Sequence, residues 1–404
     1  MKVPLLDLKP QTAALEPELH AAFTRVLRSG MYILGEEVEG FERDIAPHTG
    51  AKHAIGVSSG TDAILLALMA LNIGAGDEVI CPSFTFFATA GCIARTGAKP
   101  VFVDSCPVCF NLDVDDAASR ITPRTKAIMP VHLFGQMADM NRVMALARRH
   151  GIAVIEDAAQ ALGARYRGHA AGSMGDFGTY SFFPSKNLGA FGEAGLLATN
   201  DDKLAAQARL LRGHGAEAKY FHKKIGGNFR IDPLQAALLG VKLPHLGEYT
   251  ERRRQNAARY TSELAKIPGV CAHPAGSVCA AGEAREACKP RRCGIVLPSE
   301  YSHNFHIWNQ YTLRIIAGEG WDHAASPRDA LREFLTAREI GCEIYYPRPM
   351  HLQECFAAIR EPHEKLPVCE LLAEECLSIP IFPDLSSEQQ DFVIGTIAEF
   401  MGAR

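Results

Sequence analysis

The sequence predicts a three-layer αβα protein with a mostly parallel central sheet, followed by a smaller C-terminal α+β domain. Three observations point there. Short apolar runs recur with helical segments between them, as strands joined by crossover helices do. The apolar run Ile152–Ile155 ends in Glu156 and Asp157, polar groups at the strand end where open α/β sheets gather their sites. The chain of 404 residues also exceeds one ordinary domain of roughly 100–200 residues.

An extended segment, Val3–Leu8, opens the chain. A helix is expected over Glu16–Arg28, because Leu19, Ala22, Phe23, Val26 and Leu27 fall at helical spacing. Ser29 and Gly30 stop it. Tyr32–Gly35 reads as a loop and Glu36–Pro47 as a helix. Strands are expected at Ala54–Val57, Glu78–Cys81, Lys99–Val103, Lys126–Val131 and Ala153–Glu156. Helices at Asp62–Leu71, Phe86–Thr96, Val114–Arg120 and Met140–His150 separate them. Leu196–Thr199 is a further strand and Lys203–Arg212 a helix. Pro233 opens a helix that runs on through Tyr260 and Leu264, interrupted at Pro244. That element leads into the second domain, so residues 1–245 form the large domain and 246–404 the small one. Phe305–Leu313 and Glu343–Tyr346 are its expected strands, Arg328–Arg338 and Ser387–Met401 its helices.

A hydrophobic content of 47% and a charged content of 22% suit a large soluble core. The net charge of −4 gives no footprint for nucleic acid. The longest apolar run, Ala63–Leu71, falls far short of the ~20 residues that span a bilayer. Asp7 and Lys9 interrupt any signal-like apolar stretch, so a cytoplasmic location without membrane contact is expected. The twelve cysteines lack the dense spacing of a secreted scaffold. Cys106 and Cys109 form a C-x-x-C without a second pair, and Cys271, Cys279, Cys288 and Cys293 have no ligand spacing. No metal site is expected, and the latter segment reads as a variable insertion. No G-x-G-x-x-G follows a strand, which argues against a dinucleotide site.

Three stretches carry chemistry. Lys186 follows the apolar Phe182, Phe183 and Pro184 and lies between Gly178 and Gly189. Desolvation in such surroundings frees a lysine amine as a nucleophile able to form a Schiff base, most often with pyridoxal phosphate. Taken alone, Lys186 is more readily read as a core-edge lysine reaching to water. Asp157 could hold the pyridine nitrogen of that cofactor protonated, or could cap a helix. Ser58–Asp62, ahead of the run Ala63–Leu71, reads as a tight turn into a helix N-terminus that favours an anion. Thr61 and Ser181 add hydroxyls, and Asp62 is expected to face away.

Together these stretches resemble the DegT/StrS-type sugar aminotransferases, fold-type-I pyridoxal phosphate enzymes. The likeness extends through Pro4–Leu8, Ser29–Gly35, Ser59–Ala63, Pro82–Thr89, Pro130–Gln136, Glu156–Gln160, Ser181–Lys186, Gly227–Arg230, Ile344–Pro347 and His351–Gln353. The resemblance implies that Lys186 binds pyridoxal phosphate covalently, with pyridoxamine phosphate as the alternate form, and that Asp157 pairs with the ring nitrogen. It also implies Gln160 near the 3-hydroxyl, Phe86 on the ring face, and Gly60, Thr61 and Ser181 at the phosphate. Asn228 would reach the phosphate of a neighbouring subunit, in a homodimer with shared sites. Arg230, Tyr32, Tyr345 and His351 are its substrate-side candidates. The activity implied is transfer of an amino group, typically from glutamate, to a ketone of a nucleotide-activated sugar used in polysaccharide or glycoconjugate synthesis. The motif spacing resembles most the enzymes acting at C3 of UDP-linked 2-acetamido sugars; dTDP-linked 3- or 4-keto sugars are the alternative. A non-catalytic regulator is the alternative of another class. Relatives that dehydrate sugars carry histidine in place of the lysine. Ala194 stands where a second glycine is expected before Gly195.

Overall fold

The computed structural model of the protein describes residues 1–272, 293–318, 321, 326–360 and 364–402. Its organising element is a seven-stranded sheet in the order His53–Val57, Gly195–Thr199, Phe177–Ser181, Ala153–Asp157, Thr125–Ile128, Glu78–Pro82, Lys99–Val103. Gly195–Thr199 runs antiparallel to both neighbours, and every other pairing is parallel.

Side chains alternate across the sheet, as a period of two requires. Ile155, Phe177 and Leu197 enter one core, with the helices Gly60–Ala70 and Phe87–Arg95. Val154, Tyr180, Leu196 and Ala198 enter the other, with Glu36–Thr49, Met140–His150 and Pro233–Lys242. The result is the three-layer architecture read from the sequence. Fully burying each such aliphatic side chain stabilises by about 1.5–3 kcal/mol.

Phe177–Ser181 is a strand that the search for apolar runs passes over, since Gly178, Thr179 and Ser181 dilute it. The expected strand Lys126–Val131 is cut to Thr125–Ile128, with only a single bridge from Val131 to Asp157 beyond it. The interrupted helix is present as Pro233–Lys242, a 3₁₀ turn Leu243–His245 holding Pro244, and Leu246–Leu264.

The second sheet runs Val270–Cys271, Cys293–Val296, Tyr311–Ala317, Cys376–Ile379. The helices Leu246–Leu264, Pro327–Thr336 and Ser387–Gly402 pack about its core. Val3 bridges to Ile340 and enters that core, although its segment was grouped with the large domain.

Two expected strands differ. Phe305–Leu313 is divided: Asn304–Phe305 pairs with Arg165–Tyr166, and the small-sheet strand starts at Tyr311. The Ile307 and Asn309 amides between them donate to the carbonyls of Gly135 and Phe134, at 3.1 and 2.9 Å, which ties this stretch to the first sheet's loops. Glu343–Tyr346 makes one bridge, Glu343 to Ser378, and Cys376–Ile379 takes the strand position instead. Among the described residues no helix is long and apolar enough to cross a membrane.

Candidate active site

The site forms outside the carboxyl ends of Ala153–Asp157 and Phe177–Ser181, where the first sheet meets two helix N-termini. Asp157 is the last residue of its strand and is 5% exposed. Its Oδ2 accepts from Thr89 Oγ1 at 2.8 Å, and its Oδ1 accepts from the Ala159 amide at 3.2 Å. Burial raises its pKa, opposed by these bonds and by the nearby charges of Lys186 and His132. Asp157 caps no long helix; it is a buried carboxylate oriented by Thr89. Glu156, beside it, is fully buried for a different purpose. It accepts from His132 and from the amides of Gly172, Met174 and Gly175, at 2.7–2.9 Å, and so folds the loop behind the strand.

Lys186 sits in a closed turn. The Phe182 amide donates to the Ala194 carbonyl at 2.8 Å, and Ala190 N–H returns to the Phe182 carbonyl at 2.7 Å. A Cβ on Gly189 would lie 2.3 Å from the Pro184 carbonyl oxygen, so the turn needs glycine there. Ala194 is buried and accommodated, whereas Gly195 is required: a Cβ there would meet the Ser59 carbonyl carbon at 2.3 Å. The Lys186 side chain as a whole keeps some solvent contact. Desolvation nonetheless dominates its amine and pushes the pKa down to about 8, with the Asp157 charge opposing. No hydrogen bond or ion pair engages that amine among the described residues.

The Ser58–Asp62 turn leads into the helix Gly60–Ala70, as expected. Ser59 Oγ accepts from the Asp62 amide at 3.0 Å, and Asp62 Oδ2 accepts from Ser58 Oγ at 2.6 Å, which draws the carboxylate into the cap. The Gly60 and Thr61 amides begin the helix without intrahelical partners. A Cβ on Gly60 would lie 2.7 Å from Ser181 Cβ and 3.3 Å from Ser181 Oγ, so the two are in contact across the cup. Helix amides and a hydroxyl in this arrangement suit a phosphate.

Phe86 is the extended residue that caps Phe87–Arg95, not the first turn of that helix. Its ring stays exposed and lies 6.2 Å from Tyr346, tilted at 44°. Gln160 is fixed at both ends: Oε1 accepts from the Phe134 amide at 2.7 Å, and Nε2 donates to Tyr346 Oη at 3.0 Å. Tyr346, not singled out from the sequence, is thus what joins Phe86 to Gln160. Its neighbour Tyr345, which was, packs at 5.8 Å from it and has no such bond to the site. Thr89 was also missed as a role, although it lies one helical turn past Phe86 in a quoted motif.

The remaining candidates divide. The Arg230 backbone bridges to Val57, and the Ser58 amide donates to the Phe229 carbonyl at 3.0 Å, so the Gly227–Arg230 segment flanks the Ser58–Asp62 turn of its own chain. Arg230 Nε is buried without a hydrogen-bond partner. Asn228 is exposed at the base of a hairpin. Tyr32 is exposed and donates from Oη to the Leu27 carbonyl at 3.1 Å, with no bond to the groups above among the described residues. His351 is fully buried, with Nδ1 2.7 Å from Ser83 Oγ and Nε2 3.3 Å from Glu370 Oε1, so in the single chain its ring is engaged inward and not open to solvent. Cys106 and Cys109 pack with Val108 and Tyr301 in a small cluster. Cys279 and Cys288 lie outside the described residues.

The profile of the DegT/DnrJ/EryC1/StrS aminotransferase family matches residues 13–283 and 289–398. A protein of Geobacillus stearothermophilus named "Pleiotropic regulatory protein" is 48% identical, over 99% of both chains. The UDP-N-acetyl-3-dehydro-alpha-D-glucosamine 3-aminotransferase of Acidithiobacillus ferrooxidans is 42% identical, over 96% of this chain and 95% of its own. The crystal structure of S. venezuelae DesV in complex with a ketimine intermediate superposes with a TM-score of 0.88 at 41% identity, covering 99% of this chain and 98% of that one. With the family profile matched over most of its length and full-length relatives 48% and 42% identical, the chain belongs to the DegT/DnrJ/EryC1/StrS aminotransferase family.

Proposed function

We propose that this protein is a pyridoxal phosphate-dependent aminotransferase that moves an amino group from an amino acid, glutamate first among them, to C3 of a UDP-linked 2-acetamido sugar. The observation that carries the reading is the desolvated, unpaired amine of Lys186 beside the buried carboxylate of Asp157. The fit of the cofactor is supported by the close approach of the helix start at Gly60 to the Ser181 hydroxyl, which only glycine at position 60 permits. The 42% identical Acidithiobacillus relative supports the UDP sugar and position C3.

When bound, pyridoxal phosphate supplies an aldehyde and a ring that accepts electrons. Lys186 Nζ supplies the nucleophile and afterwards carries a proton to and from the reacting carbons. The Asp157 carboxylate, held by Thr89, would keep a proton on the ring nitrogen. Gly60, Thr61 and Ser181 would hold the phosphate; Phe86, with Tyr346 beside it, would shield the ring from water, and Gln160 would serve its 3-hydroxyl. Arg230, with an unengaged buried Nε, suits the carboxylate of the amino donor. The regulator alternative has its own support in the name of the Geobacillus relative, but a regulator has no need of a desolvated lysine within reach of the charge of a buried carboxylate.

The test runs in reverse. The cofactor-loaded protein is given 2-oxoglutarate and a UDP-linked 2-acetamido-3-amino sugar, and glutamate is measured, with a dTDP-linked 3-amino sugar as the second arm. Glutamate from the UDP sugar is expected. Turnover of the dTDP sugar alone would move the nucleotide assignment, and no glutamate from either would remove transamination of these sugars.

We also infer a homodimer with shared sites. Met31, Ile33, Phe221 and Ile225 are 59%, 60%, 73% and 91% exposed, apolar surface that a second copy would cover. Tyr32, itself 55% exposed, lies between Met31 and Ile33, so its role is to be sought across the interface, as is that of Asn228. Mixing Lys186→Ala with Asn228→Ala subunits should restore one intact site in each hybrid dimer and recover up to about a quarter of wild-type activity, as random pairing allows. Subunit exchange without recovery would contradict shared sites.

A further inference from the structure

The arm of chain that follows Lys186 is gripped from behind by one helix, Pro233–Lys242. Gln235 in its first turn and Lys242 at its end are two turns apart and face the same way. Gln235 Oε1 accepts from the Phe191 amide at 2.9 Å, and its Nε2 donates to the Phe191 carbonyl at 3.0 Å. Lys242 Nζ donates to the Gly189 carbonyl at 2.5 Å and lies 5.5 Å from the centre of the Phe191 ring.

Lys242 is a costly way to fill that position. It is 5% exposed, and no carboxylate pairs with it among the described residues. Burial pushes its pKa down to about 8. One carbonyl and one ring face offset only part of the desolvation of an ammonium. An apolar side chain of similar length would pack there at less cost, so the lysine is better explained by what it holds than by stability. It holds the far arm of the turn that begins at Phe182 and closes through the Ala190-to-Phe182 hydrogen bond. Lys186 lies in the middle of that turn. Leu188 and Ala190 share one core cluster with Ala236 and Leu239 of the helix, so arm and helix are also packed together.

We propose that Lys242, together with Gln235, is a positioning residue for Lys186: it pins the Gly189–Phe191 arm to the helix and so keeps water away from the reactive amine. The inference rests on Lys186 being that amine. Loosening the arm would hydrate Lys186 and raise its pKa toward the ordinary lysine value, as the loss of desolvation demands.

The experiment measures the amine directly in the cofactor-free protein. Wild type, Lys242→Met and Gln235→Leu are treated with trace acetic anhydride over a range of pH, and acetylation of Lys186 is followed by peptide mass spectrometry. In wild type the midpoint for Lys186 is expected near 8, from its burial. In Lys242→Met it should rise by about one pH unit or more, and in Gln235→Leu it should rise by less. The loaded Lys242→Met enzyme should lose about tenfold in kcat, as for a displaced catalytic group, while its melting temperature stays level or rises. If both variants fold and Lys186 titrates as in wild type, the positioning role is overturned. If Lys242→Met does not fold, Gln235→Leu decides alone by the same criterion. A wild-type Lys186 that titrates like a surface lysine would overturn both the clamp and the reading of Lys186, whereas an activated wild-type Lys186 unaffected by either variant overturns the clamp only.

Discussion

Lys186→Ala should lower kcat by more than about a thousand-fold and remove the visible absorbance of the bound cofactor, leaving a fold that melts close to wild type. The alanine deletes the nucleophile and the proton carrier at once, and these are not additive losses. Borohydride reduction of the loaded wild-type protein should fix the cofactor on the peptide bearing Lys186; a label on another lysine would refute the assignment. The pH dependence has a definite sign. Burial disfavours the ammonium, so the neutral amine prevails above about 8 and not only above the ordinary lysine value. Capture of added cofactor by the cofactor-free protein should therefore quicken as pH rises to about 8 and level off beyond it. A rate still climbing steeply two units higher would mean that Lys186 is hydrated.

That amine was legible in the sequence because its cause is local: three apolar or ring residues precede it and a glycine follows. The sheet was legible for a similar reason, since strands buried on both faces are written as apolar runs. Phe177–Ser181 was not, because its neighbours in space, and not its own composition, make it a strand. The division of Phe305–Leu313 was equally hidden. It depends on the amides of Ile307 and Asn309 finding carbonyls at Gly135 and Phe134, more than a hundred residues away.

The site shows the same boundary between local and distant causes. Gly60, Thr61 and Asp157 could be placed from strand-then-turn patterns. The contact of Gly60 with Ser181 could not, since it joins a helix start to a strand end. The burial of His351 was hidden because a motif gives position but not facing: its ring turns inward to Ser83 and Glu370. Tyr345 and Tyr346 are adjacent and chemically alike, so only the Gln160 bond distinguishes them. Lys242 carries no sequence signal, as a lysine at a helix end reads as ordinary dipole compensation.

Asp157→Asn should lower kcat by about 100- to 1000-fold, the loss seen when one electrostatic partner is removed from a closed site. The amide keeps the shape, and Thr89 Oγ1 can still donate to its oxygen, so the variant removes the charge at the cost of the longer 3.2 Å bond from the Ala159 amide. The Asp157 pKa is raised because burial penalises the carboxylate more than Thr89, Ala159, Lys186 and His132 relieve it. A carboxyl whose folded pKa lies above its unfolded value destabilises the fold at pH above both, and that penalty fades on acidification. The cofactor-free Asp157→Asn protein should thus melt at the same temperature as wild type or higher at neutral pH, with the gain shrinking in acid. Activity and stability moving in opposite directions is what a carboxylate kept for chemistry produces. If the variant loses stability at neutral pH in step with activity, Asp157 serves the fold, and the cation it faces is not that of a bound ring.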